Sequence, residues 1–207
     1  MPSDLLQKPA TDKVVVLDLD STLIATQDHL EDYNSMPFKN QCYTINVKEL
    51  TNGKFSRQDM WGIKRPYLDD YLLFCFNYYR LVIVWSAGTK PYVEAIVATI
   101  FKNLRPPHLI WTKDDIEMDN DNILKPLSKL IQKNPHLKLS LDKIMVVDDN
   151  ESTFQHNLPN AIHIPPFEPT VNALLPDDDA LLKIKNWCLL PQVMKNPVHK
   201  LDMNIFN

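Results

Sequence analysis

Lys13-Val14-Val15-Val16-Leu17-Asp18-Leu19-Asp20-Ser21-Thr22 decides the fold. The run 13–19 is too short for a membrane span and too β-branched to favour a helix. It reads as a fully buried strand of a parallel sheet. Carboxylates are seldom buried unpaired, so a buried strand that finishes in Asp18 and Asp20 points to a function. In open α/β sheets, ligands bind at the carboxyl ends of the strands. Two acids one residue apart, followed by the Thr22 hydroxyl, suit a cation and a phosphate. A solvated strand end capped by Thr22 is the alternative reading of these residues taken alone.

Downstream, residues 27–63 change character. Gln27–Asn40 is polar and irregular, Cys42–Val47 is strand-like, Asn52-Gly53 is a strong hairpin turn, and Lys54–Ile63 returns. This reads as a small β-insert beside the mouth of the first strand, or as a surface hairpin with no role. Pro66 suits the first turn of a helix, whose apolar stripe is Leu68, Tyr71, Leu72, Cys75 and Phe76. Leu81–Trp85 is a second buried strand and runs into Ser86-Ala87-Gly88-Thr89. Pro91 then opens a helix with Val93, Ile96, Val97, Ile100 and Phe101 on one face.

Pro106-Pro107 breaks the chain before a short strand, His108–Trp111. Thr112–Asn122 reads as a loop or small hairpin, and Lys125-Pro126 begins a helix through Leu127, Leu130 and Ile131. Ile144–Val147 is a further buried strand ending in Asp148-Asp149-Asn150, and Ala161–Ile164 is a last short one. Asp177-Asp178-Asp179 supply an acidic first turn for a helix that carries Leu181, Ile184 and Cys188. Alternating strands and helices predict an α/β fold: a Rossmann-like parallel sheet flanked by helices. The domain is expected over 12–192, with a tail over 193–207.

The chain has 207 residues, 44% hydrophobic and 23% charged, enough for one domain with a small insert. Net charge is -4, which argues against a broad nucleic-acid-binding surface. Cys42, Cys75 and Cys188 form neither a zinc pattern nor a disulfide framework. They imply a reducing, intracellular location, nucleus or cytoplasm. Met1–Lys13 lacks the apolar core of a signal peptide, and no run is long enough to span a bilayer.

Three apolar strands thus finish in reactive residues: Asp18, Asp20 and Thr22; Ser86; and Asp148 and Asp149. Lys125 stands before the last. Parallel strands joined by crossovers bring all these ends to one edge. There Asp18 would be the nucleophile that takes a phosphoryl group. A carboxylate attacking a phosphate faces like-charge repulsion, which Mg²⁺ would offset. Asp18 and Asp149 would supply side-chain oxygens and Asp20 its main-chain carbonyl. Asp148 would assist through water or by orienting Lys125. Asp20 could protonate the leaving oxygen and then deprotonate the attacking water. Thr22, Ser86 and Lys125 would bind the charge on the phosphoryl oxygens.

Asp18-Leu19-Asp20-Ser21-Thr22-Leu23, Ser86, Lys125 and Asp148-Asp149 resemble, in order, the four motifs of the haloacid dehalogenase superfamily of phosphatases. Lys64-Arg65-Pro66-Tyr67-Leu68-Asp69, Trp85-Ser86-Ala87-Gly88 and Lys125-Pro126-Leu127 are similar to one branch, the small CTD phosphatase and NLI-interacting-factor-like group. The resemblance spans about 12–190. It implies a β-flap after the first motif, Mg²⁺, and phosphoserine or phosphothreonine substrates in proteins, as on the C-terminal domain of RNA polymerase II. It also implies Ala87 and Lys113 among the substrate contacts. Two departures stand out. Ser86 replaces the family's usual threonine and keeps the hydroxyl. Lys113 is the nearest cation where the branch often has arginine, and it lacks the planar fork for phosphate.

The insert is small, and 89–125 leaves no room for a large cap. An open site suits a phosphate that protrudes from a macromolecule. The reading is therefore a Mg²⁺-dependent protein phosphatase, with no membrane partner. Phosphatase action on nucleic-acid ends or another phosphorylated molecule is one alternative. A non-catalytic binding module, as in family members that serve mitochondrial import, is another.

Overall fold

In chain order the strands are β1 (Val14–Leu17), β2 (Ile24–Gln27), β3 (Cys42–Thr51), β4 (Lys54–Lys64), β5 (Leu81–Trp85), β6 (Leu109–Trp111), β7 (Glu117–Asp119), β8 (Asn122–Leu124), β9 (Ile144–Asp148) and β10 (Ala161–His163). The helices are α1 (Leu68–Tyr78), α2 (Lys90–Ile100), α3 (Leu127–Lys133), α4 (Glu151–Phe154), α5 (Ala180–Cys188) and α6 (Pro191–Lys195). These come from a computed structural model, which describes residues 8–27, 40–51, 54–120, 122–169 and 177–206.

Alternate residues of β1 feed two separate cores. Val15 and Leu17 face the larger one, formed with α1, α2 and α5; Val14 and Val16 face the smaller, with Leu127 and Leu130 of α3 and Phe154 of α4. Both faces of the strand are covered, which is why its sequence is apolar without alternation. Each such side chain stabilises the fold by about 1.5–3 kcal/mol on burial. The main sheet is parallel, in the order β10-β9-β1-β5-β6, with β1 at its centre. Val14 pairs with Leu81 on one side and Ile144 on the other, and Leu17 pairs with Val84 and Val147. The ends of β1, β5 and β9 are therefore level, and the residues after them share one edge.

The insert is a three-stranded antiparallel sheet, β2-β4-β3. The long ladder between β3 and β4 is the expected hairpin; its Asn52-Gly53 turn and residues 28–39 lie outside the described residues. Ile24–Gln27 joins this sheet by pairing with 61–64 of β4. Tyr43, Ile45 and Val47 alternate inward from β3 into the larger core. The small hairpin expected in 112–122 is formed by β7 and β8 and extends to Leu124; a single 3-10 turn precedes it. Among the described residues no large cap covers the sheet edge.

One helix start differs from expectation. Pro66 precedes α1 rather than opening it, because Tyr67 adopts a left-handed conformation (φ 65°) and the helix begins at Leu68. The stripe itself, Leu68, Tyr71, Leu72, Cys75 and Phe76, is buried as expected. Residues after α5 pack back on the domain: Val193 and Val198 are buried, and Val198 and Met203 join the larger core. Cys75 and Cys188 are free and buried. Among the described residues no helix is long and apolar enough to cross a membrane.

Candidate active site

The first site element is a tight turn built on Leu19. Its carbonyl accepts hydrogen bonds from the amides of Thr22, Leu23 and Ile24. Ser21 takes a left-handed conformation (φ 56°) to close the turn. The chain therefore reverses immediately after Asp20. Asp18 stays in register with the sheet, its amide bonded to the Val147 carbonyl at 3.0 Å. Arg65 holds the turn from behind. It is buried, donates to the Thr22 and Pro165 carbonyls at 2.9 and 2.8 Å, and pairs with Asp178 at 2.9 Å.

Lys125 enters from the segment between β8 and α3. Its Nζ lies 2.5 Å from Asp18 Oδ1 and 2.7 Å from Asp148 Oδ2, and all three groups are buried. Asp148 ends β9 and turns its second oxygen to the Asn150 amide at 3.0 Å. Thr22 is fully buried, and its hydroxyl donates to Asp149 Oδ1 at 2.9 Å. That hydroxyl also accepts from the Asp149 amide at 3.0 Å. Ser86, at the end of β5, is buried and accepts the Gly88 amide at 3.0 Å.

Asp18, Asp20, Ser86, Ala87, Lys125, Asp148 and Asp149 line one cavity of about 180 Å³. Lys113 is not among its lining residues. Its side chain is exposed, while its amide donates to the Gly88 carbonyl at 2.9 Å. The structure thus brings together every site residue expected from the sequence except Lys113, with Thr22 directly beneath.

Charge here is unbalanced: four carboxylates meet the single ammonium of Lys125. Burial pushes the Asp18 carboxyl up to about 7, with Lys125 opposing the shift and Asp148 reinforcing it. Burial likewise raises Asp20, against hydrogen bonds from Tyr92 and Thr26, and raises Asp149, against its bond from Thr22. Lys125 is held well above the ordinary lysine value: burial opposes the charge, and the Asp18 and Asp148 carboxylates outweigh it. Asp18, Asp148 and Asp149 each offer a carboxylate oxygen within 4.8 Å of the others. An all-oxygen donor set with excess negative charge fits a hard divalent cation.

Three residues at the site carried no sequence signal. Tyr92 of α2 donates to Asp20 Oδ1. Thr26 of β2 lies 3.3 Å from the same oxygen and 2.6 Å from Tyr92 Oη. Tyr43 of β3 lies 2.8 Å from the Thr26 hydroxyl. A second cavity, about 410 Å³, is lined by Asp20, Thr26, Val47, Gln58, Met60, Thr89 and Tyr92. Asp20 is common to both cavities and stands between the sheet edge and the flap.

A parallel sheet with these acids and Lys125 at its carboxyl edge defines a protein of the haloacid dehalogenase type. Comparison with known proteins narrows the class. The family model of the NLI interacting factor-like phosphatases matches residues 13–189, and the chain belongs to that family. It is 27% identical over 187 residues to a CTD phosphatase-like protein of Invertebrate iridescent virus 3, covering 84% of this chain and 93% of that one. It is 28% identical over 143 residues to the mitochondrial import inner membrane translocase subunit TIM50 of Kluyveromyces lactis, covering 65% of this chain and 25% of that one.

Two solved structures share the fold. One is Fcp1, an essential RNA polymerase II CTD phosphatase, with TM-score 0.60, 18% identity, and coverage of 86% of this chain and 50% of that one. The other is fission yeast Fcp1 bound to beryllium fluoride, with TM-score 0.59, 20% identity, and coverage of 92% and 54%. The chain therefore spans about half the length of these two structures.

Proposed function

We propose that the protein is a Mg²⁺-dependent phosphatase that hydrolyses phosphoserine or phosphothreonine in proteins through an aspartyl phosphate on Asp18. The observation that carries this reading is the placement of Asp18. It is a buried carboxylate at the end of the central strand, 2.5 Å from Lys125 and grouped with Asp148 and Asp149.

Asp18 attacks phosphorus as the bond to the leaving oxygen breaks, and Asp20 gives its proton to that oxygen. Asp20 then takes a proton from the water that attacks the aspartyl phosphate, which frees inorganic phosphate and restores Asp18. Burial raises Asp20 from the ordinary aspartate value, the direction that favours the protonated form the first step needs.

Lys125 and Ser86 hold the phosphoryl oxygens, Lys125 by charge and Ser86 by a hydroxyl proton that its bond from Gly88 leaves unspent. Asp18 and Asp149, with the Asp20 carbonyl, would hold Mg²⁺, which supplies charge neutralisation between nucleophile and phosphate. Asp148 orients Lys125. Thr22, expected from the sequence to bind phosphoryl oxygens, is fully buried and bonded twice to Asp149, which supports a role in setting that ligand.

The lack of a large cap among the described residues and the flap cavity beside Asp20 support a macromolecular substrate, whose backbone would lie under Val47 and Met60. The names of the viral relative and of Fcp1 support a phosphoprotein. Direct comparison of phosphoserine peptides with a phosphorylated oligonucleotide end tests the substrate class. Faster turnover of the peptides is expected, and a preference for the oligonucleotide would overturn it. A binding role, suggested by the translocase relative, is the second reading. The presence of both Asp18 and Asp20 weighs against it.

A further inference from the structure

We infer that Tyr92, Thr26 and Tyr43 form a brace that fixes the Asp20 carboxyl with Oδ2 toward the leaving group, so that Tyr92 and Thr26 are positioning residues for proton transfer. The inference rests on the assignment of Asp20 as the acid. Tyr92 donates to Asp20 Oδ1, and Thr26 reaches the same oxygen at 3.3 Å. The Tyr92 bond falls on Oδ1, and Thr26, whose proton goes to Tyr92, lies beside that same oxygen, which leaves Oδ2 as the oxygen to carry the transferable proton.

The hydroxyls form one ordered line. Tyr92 spends its one proton on Asp20, so Thr26 is the donor in its 2.6 Å bond to Tyr92, and Tyr43 is then the donor in its 2.8 Å bond to Thr26. Each proton is used once and each points toward the carboxyl, an arrangement in which successive bonds strengthen one another.

The fold makes room for this line at two unrelated places. The chain has three glycines, and the two that the structure describes both face these tyrosines. A Cβ on Gly62 would collide with the Tyr43 hydroxyl and lie 2.6 Å from the Ala25 carbonyl. A Cβ on Gly88 would lie 2.6 Å from Tyr92 Cδ1. Thr26 of β2 and Tyr92 of α2 reach one carboxyl oxygen, and Tyr43 of β3 backs them through the Thr26 hydroxyl. Asp20 needs this support because it sits on the turn after β1, outside the parallel ladder. An acid must lie within hydrogen-bond reach of the leaving oxygen, and loss of that geometry removes its contribution.

The test compares kcat/KM on a phosphoserine peptide with kcat/KM on 4-nitrophenyl phosphate. The first leaving group needs a proton and the second departs as a stabilised phenolate. This parameter ends at the first irreversible step, so hydrolysis of the aspartyl phosphate does not enter. Asp20→Asn should lower the peptide-to-aryl ratio steeply. Tyr92→Phe, which keeps the ring, and Thr26→Val should each lower it about tenfold through kcat rather than KM, and Thr26→Ser should restore it.

A wild type inert on both substrates, or an Asp20→Asn ratio equal to wild type, would overturn the acid assignment and the brace with it. An Asp20→Asn loss as expected, with Tyr92→Phe and Thr26→Val ratios at the wild-type value, would overturn the brace alone.

Discussion

Thr22 and Asp149 hydrogen-bond each other twice: the Thr22 hydroxyl donates to Asp149 Oδ1 at 2.9 Å and accepts from the Asp149 amide at 3.0 Å. A buried threonine on the first turn thus fixes the carboxylate that follows β9. This ties the two carboxylate segments of the site across 127 residues of chain.

Thr22→Val keeps the shape and removes the hydroxyl. Groups that orient a metal ligand are worth about 10–100-fold in affinity. The Mg²⁺ concentration for half-maximal stabilisation in thermal melts should rise about tenfold. Thr22→Ser should stay close to the parent. Equal Mg²⁺ dependence in all three proteins would contradict the clamp.

Lys125→Met leaves Asp18 and Asp148 buried without their cation. Breaking such a group by removing one partner costs about 3–5 kcal/mol. Urea denaturation of the metal-free protein should show a loss of that size. A neutral result would mean that the carboxylates are solvated rather than held by Lys125.

The raised Asp18 carboxyl predicts a pH dependence of stability. Burial, with Asp148 adding to it, pushes this group up to about 7. Unfolded aspartates titrate near about 3.9. Between these values the native state holds a proton that the unfolded chain has lost. For this group, stability of the metal-free protein falls as pH rises through that window and is greatest below it. Mg²⁺ competes with the same proton, so it should raise Tm more at about pH 8 than at about pH 5.5. Equal rises at both values would contradict the assignment of Asp18 as a ligand.

Arg65 underlies the turn through the Thr22 and Pro165 carbonyls and the Asp178 carboxylate. Arg65→Met should destabilise by about 3–5 kcal/mol in urea denaturation. Arg65→Lys should recover little of this, because an ammonium cannot serve the carboxylate and both carbonyls with a planar fork.

The flap prediction concerns substrate size. Shortening the hairpin within 42–63 should reduce turnover of phosphopeptides more than that of 4-nitrophenyl phosphate, because Val47, Gln58 and Met60 line the cavity beside Asp20. Equal losses on both substrates would contradict a peptide-binding role for the flap.

Local sequence shows what local physics decides. Val14–Leu17 is apolar throughout because both faces of β1 are covered, and Asp18 and Asp20 stand out because they follow at once. Leu81–Trp85 and Ile144–Asp148 are legible for the same reason. The start of α1 is less so: Pro66 is compatible with a first helical turn, but the left-handed Tyr67 postpones the helix. The brace on Asp20 has no local signature. Its contacts link residues 17, 66 and 72 apart, and each of its members alone reads as an ordinary strand or helix residue. The motif position of Thr22 does not reveal which way its hydroxyl points; that follows from the neighbouring Asp149.

Hydrolysis of 4-nitrophenyl phosphate tests the central claim most directly, with Mg²⁺, with EDTA in its place, and with Asp18→Asn in the presence of Mg²⁺. Turnover that requires the metal and vanishes in a folded Asp18→Asn protein is the predicted result. Turnover that survives either EDTA or the substitution would contradict the Mg²⁺-dependent aspartyl-phosphate account.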